Sequence, residues 1–274
     1  MLEDEFIDVF GKAMRGTRLS AEQLATVTGL PPSEIAAWAK GSNIPNDDQA
    51  RALAASLHLD PNKFADAAAV RWHPEPIDLP DVRVHAQHSS VLSNGYVFFL
   101  DGDRRAAIVD PAGSPSKLLQ ILSKGEYNLQ YILITHKHAD HCDAAAEVAA
   151  AFPQAPIVMH KADVFALGKL ASRATMVQDG QVLPFGDGAD IRMLHTPGHT
   201  DGSSSFVFRS TVFTGDTLFA GSVGGAFGDA SSYGDLLTSI RSRLLTLPDD
   251  AVVMPGHGPP SKIGWEKQHN PFFS

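Results

Sequence analysis

The chain has 274 residues, of which 43% are hydrophobic and 19% charged, as in an ordinary soluble globular protein with a sizeable core. No apolar run approaches the roughly 20 residues of a membrane span, and the net charge of −9 argues against broad binding to nucleic acid or anionic lipid. The single cysteine, Cys142, excludes an internal disulfide framework, and the acidic start "MLEDEFIDVFGK" is unlike a signal peptide, so we expect a cytoplasmic protein with no membrane partner.

The composition of the chain changes near residue 70. Residues 1–70 are rich in Ala and Leu with helical periodicity, which predicts a small all-α domain. Residues 71–82 contain three closely spaced prolines, which is typical of an extended linker. In residues 83–274 strand-like runs alternate with helical ones, which predicts an α/β layered domain.

The helical segment "LSAEQLATVTGLPPSEIAAWAKG" resembles the helix-turn-helix of Cro- and repressor-type regulators. Ser20 and Gln23 form a capping box at the start of the second helix. Gly29 supplies the turn, and Pro32-Ser33 begins the third helix. The resemblance therefore implies a helix-turn-helix fold for residues 1–70.

The net charge of residues 1–70 indicates whether this segment binds DNA. Residues 1–70 hold six basic and ten acidic residues, a net charge of −4, whereas DNA affinity comes mostly from neutralising phosphates. The presumed recognition helix offers Ser33 and Glu34 where base-reading Arg, Gln or Asn is expected. DNA binding stays open but is not favoured, and we prefer a retained fold used for a homodimer or for covering the active-site edge.

The α/β segment gives a series of predicted elements. "GYVFFL" and "RAAIVD" flank Asp101-Gly102-Asp103 and predict a hairpin. The other predicted strands are "YILIT", "PIVMH", the two halves of "SSFVFRSTVFTGD", and "AVVMPGHG". The predicted helices are "SPSKLLQILSKG", "AAAEVAAAF", "KADVFALGKL" and "YGDLLTSIRSRLLTL".

Four strand-like segments end in histidine or aspartate, three of them through a turn that contains glycine. Together they supply His136, His138, Asp140, His141, His199, Asp216 and His257. Binding residues of layered domains lie where strands run out into loops, so we expect these side chains to meet. Imidazole and carboxylate suit Zn, Fe or Mn, and the pattern therefore predicts a metal centre. The remaining histidines are expected to be structural, with His160 and His195 as candidates for supporting contacts.

Spacing within this set suggests how ions are shared. Side chains two apart in an extended stretch point the same way, so His136 and His138 can reach one ion. Asp140 and His141 lie further along the turn and can face a second ion. A carboxylate such as Asp216 can bridge two ions with its two oxygens.

The motifs "THKHADH", "TPGHT", "TGDTLF" and "PGHGP", in this order, resemble the metallo-β-lactamase superfamily and its glyoxalase II-like hydrolases. The tail "GHGPPSKIGWEKQHNPF" looks like that of the short bacterial glyoxalase II-like proteins. The resemblance covers roughly residues 83–274. It implies an αββα sandwich with the metals at one edge of the two sheets.

The resemblance also implies roles for the residues. It assigns His136, His138 and His199 to a first metal, and Asp140, His141 and His257 to a second, with Asp216 bridging. Two divalent ions are expected, Zn in the first place, with Fe and Mn as alternatives. The implied reaction is hydrolysis of a small-molecule thioester or ester by a metal-activated hydroxide, with Asp140 and Asp216 as its catalytic carboxylates.

Two other functions stay open. The persulfide dioxygenases share this fold, and the resemblance would then give one Fe(II) the triad His136, His199 and Asp216. Alternatively, the chain is a DNA-binding regulator that senses a ligand through a hydrolase-fold domain. Residues 218–232 contain no basic residue, although relatives commonly carry an Arg or Lys there near the substrate.

Overall fold

The computed structural model describes residues 2–79, 82–86, 93–100, 104–186, 188–226 and 231–274. The turn 101–103 of the predicted hairpin lies outside these residues. The N-terminal part is helical, and its five helices are α1 Phe6–Thr17, α2 Ala21–Thr28, α3 Pro32–Trp38, α4 Asp47–Ser56 and α5 Pro61–Ala68. Residues 72–79 have no regular structure, as the closely spaced prolines predict.

Two six-stranded sheets follow. The first sheet has the strands β1 Val82–Ala86, β2 Asn94–Phe99, β3 Arg105–Val109, β4 Asn128–Leu133, β5 Ile157–His160 and β6 Ala174–Val177, paired in that order. The pairs β1–β2 and β2–β3 are antiparallel and the rest parallel. The second sheet has the order β14-β13-β10-β9-β8-β7, with β7 Val182–Leu183, β8 Ile191–His195, β9 Ser204–Phe208, β10 Thr211–Gly215, β13 Val252–Pro255 and β14 Ser261–Lys262. All its pairs are antiparallel except β10–β13.

The remaining elements connect and cover the sheets. They are α6 Ser116–Lys124, α7 Ala139–Cys142, α8 Ala145–Ala151, α9 Tyr233–Ser239, α10 Ile263–His269 and the small hairpin β11 Leu218–Phe219 with β12 Ser222–Val223. None of the helices in the described part of the chain is both long and apolar enough to cross a membrane.

Three apolar clusters define the layers. Phe98 stacks on Phe213 with ring centroids 5.1 Å apart, in a cluster built from both sheets. A second cluster packs α6 and α8 on the outer face of the first sheet. The third joins the second sheet, α9 and α10 to the helical domain, where Phe10 and Trp38 are fully buried. The order helix, sheet, sheet, helix confirms the predicted αββα sandwich.

The helix-turn-helix features also appear where the sequence places them. Ser20 accepts a hydrogen bond from the Gln23 amide, and the Gln23 side chain accepts one from the Ser20 amide. Gly29 ends α2 in the left-handed region with φ 73°. Helix α3 begins at Pro32, as predicted.

Two predicted helices are not regular α-helices in the structure. In the region of "KADVFALGKL", Val164–Arg173 forms a 3-10 helix interrupted at Gly168, whose φ of 53° and ψ of −119° are not helical. "YGDLLTSIRSRLLTL" is α-helical only to Ser239, and a π-helical turn, Ile240–Leu244, follows. Both changes lie outside the predicted metal ligands.

Candidate metal centre

All seven predicted ligands lie together. His136 follows β4, and His138 caps α7, the short helix that carries Asp140 and His141. The other three come from turns after strands of the second sheet, namely His199 after β8, Asp216 after β10 and His257 after β13. Two triplets, His136–His138–His199 and Asp140–His141–His257, are joined by a third, His136–His141–Asp216, and within each triplet the ligand atoms lie within 4.8 Å of one another.

The first cluster consists of three imidazoles that converge. His138 Nδ1 lies 3.0 Å from His136 Nε2 and 2.9 Å from His199 Nε2. The other ring nitrogens are held by protein groups, His136 Nδ1 at 3.0 Å from Thr135 Oγ1 and His199 Nδ1 at 2.6 Å from the Gly225 carbonyl oxygen. Burial lowers the pKa of all three histidines, which favours the neutral imidazole that binds metals.

The second cluster contains acid as well as imidazole. Asp140 Oδ2 lies 3.5 Å from His141 Nε2 and 3.4 Å from His257 Nε2. Burial alone would lower the pKa of His141 and His257, but the neighbouring carboxylates raise it by more. Asp216 and Asp110 raise the pKa of His141 well above its ordinary value, and Asp140 and Asp216 raise that of His257 to about 10. This cluster therefore favours positive charge at its centre.

Asp216 spans the two clusters. Its Oδ1 lies 3.3 Å from His141 Nε2, and its Oδ2 lies 3.5 Å from both His199 Nε2 and His257 Nε2. Burial alone would raise the pKa of Asp216, but His141 and His257 hold it well below its ordinary value. The carboxylate is thus ionised, with Oδ2 between the two clusters and Oδ1 on the side of the second.

Two glycines make this close approach sterically feasible. A Cβ atom on Gly256 would lie 2.2 Å from Asp216 Oδ1 and 2.8 Å from His141 Cε1. Gly215 has φ 49°, and a Cβ there would lie 2.3 Å from Thr135 Oγ1. Side chains at these positions would push apart the turns that carry the ligands.

The geometry fits divalent metal ions. Within the described residues, His141 Nε2 and Asp216 Oδ1 are buried without a hydrogen-bond partner, although a buried polar atom without a partner is costly. In the first cluster, His136 Nε2 and His199 Nε2 both face His138 Nδ1, which can donate a proton to only one of them. Neutral imidazoles and ionised carboxylates are the donors that Zn, Fe and Mn accept, so a cation in each cluster would satisfy these atoms.

The comparisons with known proteins identify the family of this part of the chain. Residues 91–257, which include all seven candidate ligands, match the family model described as the metallo-beta-lactamase superfamily. The chain belongs to the metallo-β-lactamase superfamily. Residues 15–64 match a helix-turn-helix family model, as the sequence predicts.

Individual relatives match about two thirds of the chain. The hydroxyacylglutathione hydrolase GloC of Haemophilus influenzae is 34% identical over 191 residues, which is 64% of this chain and 90% of that protein. The crystal structure of TTHA1623 in a di-iron-bound form has a TM-score of 0.59 at 30% identity and covers 68% of this chain and 98% of the other. ETHE1 from Myxococcus xanthus also has a TM-score of 0.59, at 28% identity, and covers 69% and 83% of the two chains.

Sequence reasoning missed one carboxylate that supports this site. Asp110, 2% exposed, accepts hydrogen bonds from the Thr135 amide at 2.8 Å and the Thr135 hydroxyl at 2.7 Å. Its Oδ2 also lies 3.0 Å from His141 Nδ1. Asp110 directly follows the buried strand β3, so the strand-end rule that selected Asp216 would have found it.

Other candidates lie outside the clusters. His160 and His195 stack on each other with ring centroids 4.0 Å apart, and His195 Nε2 lies 2.8 Å from the Asp201 carbonyl oxygen. Cys142 is buried behind the ligand loop with its Sγ 3.6 Å from the Lys137 carbonyl oxygen. Burial and nearby carboxylates raise the pKa of this thiol to about 12, so the geometry favours packing over reactivity.

Proposed function

We propose that the protein is a dinuclear metal-dependent hydrolase of thioester or ester bonds, similar to glyoxalase II. One observation carries the proposal: two ligand triplets stand side by side with the Asp216 carboxylate between them, its Oδ2 near His199 of the first triplet and its Oδ1 near His141 of the second. The similarity to a hydroxyacylglutathione hydrolase supports the thioester class. We propose Zn for both ions, with Fe and Mn as alternatives.

Two divalent ions, when bound, supply a hydroxide nucleophile near neutral pH and polarise the substrate carbonyl. The nearly enclosed carboxylate of Asp216 would balance part of the positive charge of the two ions. Asp140 is more accessible, with 24% of its side chain exposed against 11% for Asp216. Because Asp140 Oδ2 faces the second cluster, we assign it to accept a hydrogen bond from the attacking water and to orient it.

The accessible side of the site determines where the substrate enters. His138 is exposed, whereas His136 and His199 are buried. The substrate carbonyl therefore approaches past His138 and Asp140. A thiolate is a good leaving group, so the chain needs no strong general acid beside it.

A second candidate function is a mononuclear Fe(II) dioxygenase that acts on persulfides. Its support is the resemblance of the motifs to the persulfide dioxygenases, together with the structural similarity to ETHE1 from Myxococcus xanthus. In this alternative His136, His199 and Asp216 would hold the iron, and His199 Nε2 does lie 3.5 Å from Asp216 Oδ2. The complete second triplet around His257 favours the hydrolase, because that alternative gives it no role.

The test is thiol release from a panel of glutathione thioesters, other thioesters and activated esters. We expect turnover by the wild type and a loss of more than roughly 100-fold in Asp216→Asn, which exceeds the usual cost of losing an outer-sphere partner. The matched control is Asp250→Asn, an exposed carboxylate in the turn before β13, which should keep full activity. Full turnover by Asp216→Asn would contradict the mechanism, and oxygen uptake with persulfides but no hydrolysis would favour the dioxygenase.

A gel shift at modest salt addresses the third alternative. The helix-turn-helix match leaves DNA binding possible, but Glu34 on α3 is engaged by the Gln49 side chain at 2.9 Å, inside the helical domain. We propose that the domain does not read a DNA sequence. Tight, sequence-dependent binding would overturn this.

A further inference from the structure

The helical domain reaches the metal centre through the segment that precedes α1. Glu3 Oε1 lies 3.9 Å from Nδ1 of His257, a ligand of the second cluster. The backbone of Glu3 also packs on the ligand turn, because a Cβ on Gly258 would lie 3.0 Å from the Glu3 amide nitrogen. At this distance the carboxylate acts on the imidazole through its charge and not through a hydrogen bond, and it favours the ring tautomer whose proton faces it.

A second contact comes from α1 itself. Lys12 Nζ donates a hydrogen bond to the Val223 carbonyl oxygen at 2.7 Å and pairs with the carboxylate of Asp4. It also lies 4.9 Å from the centroid of the Phe219 ring. The side chains of Lys12 and Asp4 are only 10% and 8% exposed. Lys12 therefore joins the helical domain to the β11–β12 hairpin as part of a buried, hydrogen-bonded pair.

The hairpin transmits this contact to the first cluster. Two residues beyond Val223, the Gly225 carbonyl oxygen lies 2.6 Å from His199 Nδ1. Gly224, which lies between Val223 and Gly225, is packed tightly against Asp216, since a Cβ at Gly224 would lie 1.7 Å from the Asp216 carbonyl oxygen. A displacement of Val223 would therefore move the group that orients His199.

We infer that the helical domain is a working part of the metal centre, in which Glu3 positions His257 and Lys12, through Val223–Gly225, positions His199. One ligand of each cluster is thus oriented by the N-terminal domain. The inference rests on the proposed dinuclear site but not on its substrate. Glu3 and Lys12 are positioning residues, because they act through histidines and not on the substrate.

The apolar packing and the relatives support this view. Val9 and Phe10 of α1 belong to the same buried cluster as Leu218 and Val223 of the hairpin, so α1 is held at a fixed distance from the site. The match to the Haemophilus influenzae relative covers 90% of that protein and only 64% of this chain, which leaves the relative little length for such a domain. The Lys12 contact reaches the β11–β12 hairpin, and residues 218–232 of the sequence hold no basic residue.

The test compares full-length variants by metal content and by metal affinity in competition with a chromophoric chelator, with Zn as the probe. We expect Glu3→Gln and Lys12→Met each to weaken the affinity for one of two Zn equivalents by roughly 10- to 100-fold, the range for outer-sphere partners. Lys12→Arg keeps a donor for Val223 and should restore most of the affinity. The matched controls are Glu75→Gln and Lys40→Met, which change exposed residues.

The outcomes separate this inference from the proposed function. Wild-type protein that binds two Zn equivalents but hydrolyses no thioester would refute the proposed substrate, while the affinity comparison would still test Glu3 and Lys12. Unchanged Zn affinity and kcat in both variants, with native circular dichroism, would overturn the inference. A rise in KM for anionic substrates alone in Lys12→Met, at unchanged affinity, would also overturn it, since Lys12 would then contact substrate.

Discussion

Asp110→Asn is a sensitive test of how the site is built. The Asp110 carboxylate accepts two hydrogen bonds from Thr135 and lies 3.0 Å from His141 Nδ1. An asparagine that keeps its oxygen on the Thr135 amide must direct its NH2 group toward His141 Nδ1, which then cannot donate. The imidazole proton is thereby favoured on Nε2, the nitrogen that faces Asp216, and a protonated nitrogen cannot bind a metal.

The structure sets the magnitude of two effects. We expect the metal affinity of the second cluster to fall roughly 10- to 100-fold, as for other outer-sphere carboxylates. Because Asp110 is buried and its lost hydrogen bonds are charge-assisted, the free energy of unfolding of the apoprotein should fall by about 1.5–3 kcal/mol.

The assays are a Zn titration with a competing chelator and urea unfolding of the apoprotein. The matched control is Asp143→Asn, since Asp143 is exposed and its carboxylate accepts one hydrogen bond from the Gly113 amide at 2.7 Å. That variant should keep its Zn affinity and lose less than about 1 kcal/mol. Wild-type affinity and stability in Asp110→Asn would refute the assigned role of Asp110.

Three further predictions concern other groups. Burial raises the pKa of Glu266 from 4.5 to about 7. Between these two pH values the folded state therefore keeps a proton that the unfolded chain releases. The contribution of Glu266 to the free energy of unfolding should fall by roughly 3 kcal/mol as the pH rises from 4.5 to 7. Urea melts of Glu266→Gln should lack this pH dependence, and an unchanged slope would argue against Glu266 as its source. A thiol reagent at pH 8 should label Cys142 quickly only in denatured protein, and rapid labelling of the folded protein would contradict its burial. His138→Ala should abolish hydrolysis but keep the native circular dichroism spectrum, because His138 is exposed and contributes little to the core; retained turnover would exclude it as a ligand.

The clustering of the seven candidate ligands could be predicted because its signal is local. Each ligand follows an apolar run at a strand end, and the ends of β4, β10 and β13 meet in the sandwich. Asp110 carries the same signal but was missed, since neither a histidine nor a recognised motif stands beside it. Hydrophobic periodicity predicts a helix near Val164–Arg173, but it does not predict that a single residue, Gly168, has non-helical φ and ψ and interrupts this helix.

The contribution of the helical domain could not be read from the sequence. Lys12 and Val223 are 211 positions apart, and their contact depends on how two domains pack. Nothing in the pattern around Glu3 distinguishes it from the other acidic residues of the N-terminus. We expect this domain to cover the active-site edge as one of its possible roles, but the sequence does not show which residues make the contact.

Elemental mass spectrometry of protein purified without added metal or chelator tests the dinuclear metal hydrolase most directly. We expect about two equivalents of Zn, or of Zn, Fe and Mn together, per chain, because two triplets lie side by side with Asp216 between them. A single equivalent of Fe would contradict the dinuclear hydrolase and favour the dioxygenase. Protein that binds no metal, even after Zn is supplied, would contradict the metal centre itself.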